Sequence, residues 1–202
     1  MSSAPEPQPP FVGLTGGLGA GKSTALEALG RLGAEVLSTD SVVHELYAGD
    51  EVRDAVLSRW GATVMREGAV DREAVARRVF ADPSERQWLE GLLWPMVAQR
   101  VAAWRVRVGT RRPAPRAVVV ETPLLFEAAM ESAYDATVAV VSAEAVRRQR
   151  AAGRGHALVD ERSARQLSQE EKASRATFAV HNDASVEELE RELSAILDKL
   201  GG

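Results

Sequence analysis

The stretch Gly16-Gly17-Leu18-Gly19-Ala20-Gly21-Lys22-Ser23 constrains the fold more than any other part of this 202-residue chain. It follows a short β-branched apolar run, Phe11–Thr15, and precedes Lys22–Arg31, where Ala25, Leu26, Leu29 and then Leu32 recur at helical spacing. A G-x-x-x-x-G-K-[ST] loop between a strand and a helix has a mechanical reason. Glycines let backbone N–H groups converge on phosphate oxygens where any Cβ would obstruct approach, and the helix start adds partial positive charge. At ordinary glycine content such a match arises by accident in roughly one chain in a hundred of this length. In this frame Lys22 bridges the β- and γ-phosphates of a nucleotide, and the Ser23 hydroxyl ligates Mg²⁺.

The rest of the chain supplies a sheet for that loop. Ala34–Ser38, Ala117–Glu121, Asp135–Ser142 and Thr177–Val180 are also short and apolar on successive residues, as strands buried on both faces are. Alternation with helical patterns predicts α/β architecture and a parallel sheet of about five strands with right-handed crossovers. From Ser41 to Arg116 no convincing strand is found; helical patterns dominate, the richest being Trp88, Leu89, Leu92, Leu93, Met96, Val97, Val101 and Trp104. This predicts a helical subdomain inserted between two strands, with Pro113 and Pro115 marking the return to the sheet. Ser185 and Glu188 form a plausible capping box for a last helix, about Ser185–Leu200.

Composition removes several classes of function. There is no cysteine, which excludes disulfide scaffolds, thiolate zinc sites and Cys nucleophiles, and three scattered histidines (His44, His156, His181) argue against a His-built metal centre. The formal net charge of -4 argues against a general nucleic-acid binder. No apolar run approaches the length of a membrane span. The first ten residues hold four prolines and neither Lys nor Arg, which reads as a disordered tail rather than a signal peptide and points to a cytoplasmic protein.

Charge is unevenly distributed. Arg147–Arg175 holds eight basic and four acidic residues. Within it Arg150 and Arg154 lie four apart beside Gly153 and Gly155, as in a mobile loop closing over polyphosphate, whereas Arg147 and Arg175 read as part of a solvated, ion-paired helix face. Arg100–Arg116 carries six arginines and no acid, suited either to an anionic substrate tail or to a solvated helix and linker. Asp40 follows the second strand, where a carboxylate either accepts a substrate proton, holds Mg²⁺ through water, or caps a helix beginning at Ser41. Glu121 is either near the metal or a solvated strand end, and Glu127 either functional or a helix-start charge. His44 shares a helix face with Asp40, and the four tryptophans read mainly as core. The loop alone leaves open a small-metabolite or nucleotide kinase and a non-catalytic nucleotide-sensing regulator; the missing N-K-x-D signature disfavours a GTPase.

Taken in order, these residues resemble the dephospho-CoA kinase family over about Phe11 to Leu200. The likeness rests on GLTGGLGAGKST, Asp40 with His44, Gly68-Ala69-Val70-Asp71-Arg72 before Phe80, Pro123-Leu124-Leu125-Phe126-Glu127, Arg150 with Arg154, Arg162 with Gln166, Glu171-Lys172 and Asn182. The resemblance implies a three-layer nucleoside-monophosphate-kinase-like phosphate-loop fold, with a nucleotide-binding core (11–40 and 117–202), a helical substrate subdomain (41–116) and a lid (150–165). It implies transfer of phosphate from ATP, with Mg²⁺, to the ribose 3′-hydroxyl of 3′-dephospho-CoA. By position, Gly17, Leu18, Gly19, Ala20, Gly21, Lys22, Ser23 and Thr24 hold ATP phosphates, and Asp40 takes or orients the hydroxyl. Arg150 and Arg154 belong to the lid, Asn182 lies near the adenine, and His44, Pro123, Leu124 and Leu125 line the acceptor site. The expected partners are these two small molecules, with no nucleic acid or membrane, and a monomer or weak homo-oligomer. The chain departs from the family in having Trp94-Pro95 for His-Pro, Ser38 for Asp, Ala176-Thr177 for Ala-Asp and Ala184 for Gly.

Overall fold

A computed structural model describes residues 8–151 and 166–201. Residues 1–7 of the expected N-terminal tail (1–10), and 152–165 of the expected lid (150–165) with Arg154 and Arg162, lie outside the described residues. Packing divides the chain into two units, 1–37 with 105–202, and 38–104.

The first unit is built on a five-stranded sheet. Its strands are β1 (Phe11–Gly16), β2 (Glu35–Ser38), β5 (Val118–Glu121), β6 (Ala136–Val141) and β7 (Phe178–His181), in the order β2-β5-β1-β6-β7. β1 runs parallel to β5 and β6, and β6 parallel to β7. Every residue of β1, β5 and β6 is buried, so their unbroken apolar character answers to two covered faces rather than one. On one face α1 (Lys22–Arg31) contributes Ala25, Ala28 and Leu29. The last helix, α8 (Val186–Gly201), adds Leu189, Leu193, Ile196 and Leu197 over Val12, Leu14, Val138 and Val140. The Ser185 hydroxyl accepts from the Glu188 N–H at 3.3 Å, starting α8 where the sequence places it. Two further helices, α6 (Glu144–Ala151) and α7 (Gln169–Arg175), follow β6.

The arginine-rich return to the sheet is tied down within this unit. Arg111 pairs with Glu35, Arg116 with Asp198 at 2.6 Å, and Arg105 lies over the Phe11 ring at 4.1 Å. These contacts favour the linker reading of that stretch over an open anion site.

The second unit holds α2 (Thr39–Ala48), α3 (Asp50–Trp60), α4 (Arg72–Ala81) and most of α5 (Pro83–Gly109). One expectation fails here: the insertion contains strands. β3 (Met65–Arg66) and β4 (Ala69–Val70) form an antiparallel hairpin whose turn residues, Glu67 and Gly68, both have positive φ. Two-residue strands are too short to show a period, and the Glu-Gly turn is a weak signal. Asp71 then caps α4 by accepting from the N–H groups of Glu73 and Ala74. Those bonds, the Ala74 one foremost, hold its carboxyl below the ordinary value.

Tryptophans build this unit's core, with one exception. Trp60 is buried and meets Trp88 edge to face at 5.0 Å, while Glu85 accepts from both the Trp60 indole N–H and Arg59. Trp104 is buried as well. Trp94, beside the helix-interior Pro95, is 52% exposed and lies outside the core that its helical spacing predicts. Among the described residues no helix is long and apolar enough to cross a membrane.

Candidate active site

The glycine loop leaves the carboxyl end of β1, the central strand of the sheet, which is where open α/β sheets place ligands. Its backbone conformation demands glycine. Gly19 and Gly21 sit at φ 74° and 89°, and a Cβ on Gly21 would lie 1.9 Å from the Asn182 amide nitrogen. A Cβ on Gly19 would meet the Arg147 carbonyl oxygen at 2.7 Å. The loop is thus a cradle walled by backbone, with neighbours already at van der Waals limits behind it. Lys22 Nζ donates to the Gly16 and Gly17 carbonyls at 3.1 and 3.3 Å, which keeps the ammonium folded over the loop. Ser23 is exposed in the first turn of α1.

Behind the loop, the ends of β6 and β7 form a second layer. Asn182, 4% exposed, donates from its side-chain amide to the Ala20 carbonyl at 2.9 Å. Its own carbonyl accepts from the Ser142 hydroxyl at 2.7 Å and from Arg150 at 3.1 Å. Arg150 also reaches the Ser142 hydroxyl at 3.3 Å. The structure therefore brings Gly21, Arg150 and Asn182 together, three residues that the sequence separates by up to 161 positions. Asn182 touches the loop itself, through the Ala20 carbonyl and Gly21.

Arg147 corrects the sequence reading. It is half-buried rather than part of a solvated face, its backbone closes over Gly19, and its Nε is buried with no hydrogen-bond partner among the described residues. It lines a cleft of about 150 Å³ with Gly17, Leu18 and residues 166–170. Arg175 does follow the ion-pair reading, pairing with Glu131 and lying over the Phe126 ring at 4.9 Å.

The segment after β5 is anchored from three sides. Glu121 is buried, against the solvated alternative, and Thr122 exchanges a hydrogen bond with the Tyr134 hydroxyl at 3.1 Å. Burial raises the Tyr134 pKa, an effect that this bond partly offsets. Pro123 and Leu124 are half-buried, but Leu125 is fully buried. A Cβ on Gly13 would lie 2.5 Å from Leu125 Cδ1, so this side chain is core and not a ligand surface. Glu127 is not a helix-start charge: it pairs at 2.9 Å with Lys172, whose side chain is completely buried. A lysine in a charged run gave no sign of that burial; its place on the inward face of a helix of about two turns is a tertiary fact.

In the second unit, Asp40 and His44 are both exposed on α2. Asp40 is in the first turn, not at the N-cap, because the helix starts at Thr39 with Ser38 before it and no side-chain cap. The capping alternative is therefore removed. His44 Nδ1 contacts Arg72 at 2.5 Å, and Arg72 also lies over the Tyr47 ring. Among the described residues no three acidic or histidine side chains gather as a metal site. The fit for Mg²⁺ is of another kind: the exposed Ser23 hydroxyl beside the loop is an oxygen donor of the sort that this hard cation would take.

A parallel sheet of this strand order, feeding a glycine cradle into a helix N-terminus from its central strand, defines a phosphate-loop protein of the kinase class. A family model described as dephospho-CoA kinase matches residues 10–188. The dephospho-CoA kinase of Anaeromyxobacter dehalogenans is 38% identical, over 95% of this chain and 92% of its own length. That of Deinococcus radiodurans is 35% identical over 99% of both chains. A Thermus thermophilus protein of known crystal structure superposes with a TM-score of 0.80 at 33% identity, over 97% of this chain and all of its own. A dephospho-CoA kinase structure from Campylobacter jejuni, at 19% identity and TM-score 0.62, shares the fold over 94% of this chain and 96% of that one. The chain belongs to the dephospho-CoA kinase family.

Proposed function

We propose that this protein transfers the γ-phosphoryl group of ATP to the ribose 3′-hydroxyl of 3′-dephospho-CoA, giving ADP and coenzyme A, in the cytoplasm. The observation that carries this reading is the family match over residues 10–188 on a chain whose phosphate cradle is sterically complete. Asp40 accepts the 3′-hydroxyl proton as that oxygen attacks the γ-phosphorus; the bond to the β,γ-bridging oxygen breaks, and ADP leaves with its electron pair. The N–H groups of Gly17 to Thr24 hold the phosphates, and Lys22 turns from the loop carbonyls to the β- and γ-oxygens. Arg150 and Arg154 offset charge on the transferring group, and Asn182 supports the nucleotide side. His44, Pro123 and Leu124 receive the acceptor. Ser23 would hold Mg²⁺, which when bound draws charge from the β- and γ-oxygens.

The test is ADP release from Mg-ATP with dephospho-CoA, AMP, adenosine or pantothenate as acceptor. Strong stimulation by dephospho-CoA alone is expected, with phosphorus NMR locating the new ester at the ribose 3′ position. No stimulation, or preference for AMP, overturns the reading. Asp40→Ala should lose about 10²–10⁴-fold in kcat while still binding ATP, the range for a positioned proton acceptor. Wild-type turnover in that variant would remove Asp40 from the chemistry.

A further inference from the structure

Lys172 has a completely buried side chain, an environment that a lysine enters only when its charge is answered. It has two answers, both from the segment after β5: the Pro123 carbonyl at 2.8 Å and Glu127 Oε1 at 2.9 Å. The Pro123 carbonyl also accepts from the Thr15 hydroxyl, at 3.3 Å, on the strand that leads into the phosphate loop. Glu127 Oε1 receives the Leu167 N–H as well, at 2.8 Å, just before α7 begins. A buried ion pair of this kind seldom adds net stability over well-packed apolar residues, since desolvation cancels much of the attraction. What it does supply is direction: a short carbonyl and a carboxylate held at fixed points.

Three residues earlier on the same short helix, Gln169 does the corresponding thing toward the nucleotide side. Its side chain accepts from the Ser142 N–H at 2.9 Å and donates to the Ser142 carbonyl at 2.8 Å. Ser142 in turn bonds Asn182, which holds Ala20 of the loop. Helix α7 is thus pinned at its start to the phosphate loop through Gln169, and one turn on to the 123–127 segment through Lys172.

We propose that Lys172 is a positioning residue for the acceptor, acting through Pro123 and Glu127, and that Gln169 is its counterpart for ATP. The assignment rests on the kinase reading, in which Pro123 and Leu124 receive dephospho-CoA. Helix α7 then sets the register between the two substrates, and its two anchors are separable.

The experiment is steady-state kinetics with both substrates varied, alongside thermal unfolding. In Lys172→Met/Glu127→Gln, which removes both charges together, the KM for dephospho-CoA should rise about tenfold or more with the KM for ATP within about twofold of wild type. Lys172→Met alone, which strands a buried carboxylate, should be worse than the double variant in both stability and acceptor KM. Gln169→Ala should show the reverse split, raising the KM for ATP and sparing the acceptor. Equal rises in both KM values that track lost thermal stability, or wild-type constants in the double variant, overturn the proposal. If the double variant does not fold, Thr15→Val loosens the same Pro123 carbonyl by its weaker bond; an unchanged acceptor KM there overturns it equally. Wild-type enzyme in the same assay separates the two levels. No turnover of dephospho-CoA by wild type overturns the kinase reading and this one with it, whereas normal wild-type turnover without the split overturns this one alone.

Discussion

At Gly21 two independent obstacles meet. The φ of 89° costs an L-residue about 1–2 kcal/mol, and a Cβ would displace Asn182 from a position 1.9 Å away. Gly21→Ala should therefore raise the Kd for ATP at least about tenfold, because the Asn182 amide that supports Ala20 must move; ATP titration calorimetry checks this. Gly13 presents the same problem in the core, where a methyl would overlap Leu125 and Tyr134. Gly13→Ala should cost about 1–3 kcal/mol in urea unfolding, the usual result of overpacking. The motif made the loop glycines legible. Gly13 was not, because nothing in the order of residues says that Leu125 and Tyr134 lie across from it. The same limit hid Lys172 and Arg147, which as letters are two more cations in a basic stretch.

At the scale of elements, α7 is short enough that its ends matter more than its middle. Ser168 accepts from the Glu171 N–H at 3.1 Å, and Glu171 accepts from the Ser168 N–H at 2.9 Å, a reciprocal cap. Ser168→Ala should destabilise the protein by about 1 kcal/mol. The Ser168 bonds, the backbone one first, hold the Glu171 carboxyl below its ordinary value near 4.5. A depressed acid contributes stability that is complete above that value and lost as pH falls through the lower, folded one. The difference in melting temperature between wild type and Glu171→Ala should accordingly be constant near neutrality and shrink below about pH 4.5. For the long elements, apolar runs and helical spacing were sufficient, and β1, α1, β5, β6 and α8 form where the pattern puts them. The β3-β4 hairpin escaped because two residues carry no period.

At the scale of the whole molecule, ligand binding and folding are linked. At 100 times its Kd, ATP should add about 2.7 kcal/mol to stability, by binding only the native state. For a chain of this length that is a rise of about 5–10 °C in Tm. Scanning fluorimetry should show that rise in wild type and lose it in Lys22→Ala. The two units have separate cores, one around the sheet and one around Trp60 and Trp88, so core truncations in each have distinct expected reach. Leu193→Ala empties a fully buried site between α8 and the sheet and should cost about 2–5 kcal/mol.

Residue order alone determined the phosphate loop, the parallel sheet that carries it and the family, because each depends on short-range signals: glycine spacing, β-branched runs and motifs in sequence. Tertiary structure decided where the side chains around the loop lie. Asn182 supports Ala20, Arg147 closes over Gly19, Leu125 turns into the core, and Lys172 is buried against Glu127. Burial and close approach are properties of segments far apart in the chain. Whether a lysine is a solvated cation or a buried one held by a carboxylate is decided by the segments that the fold packs against it.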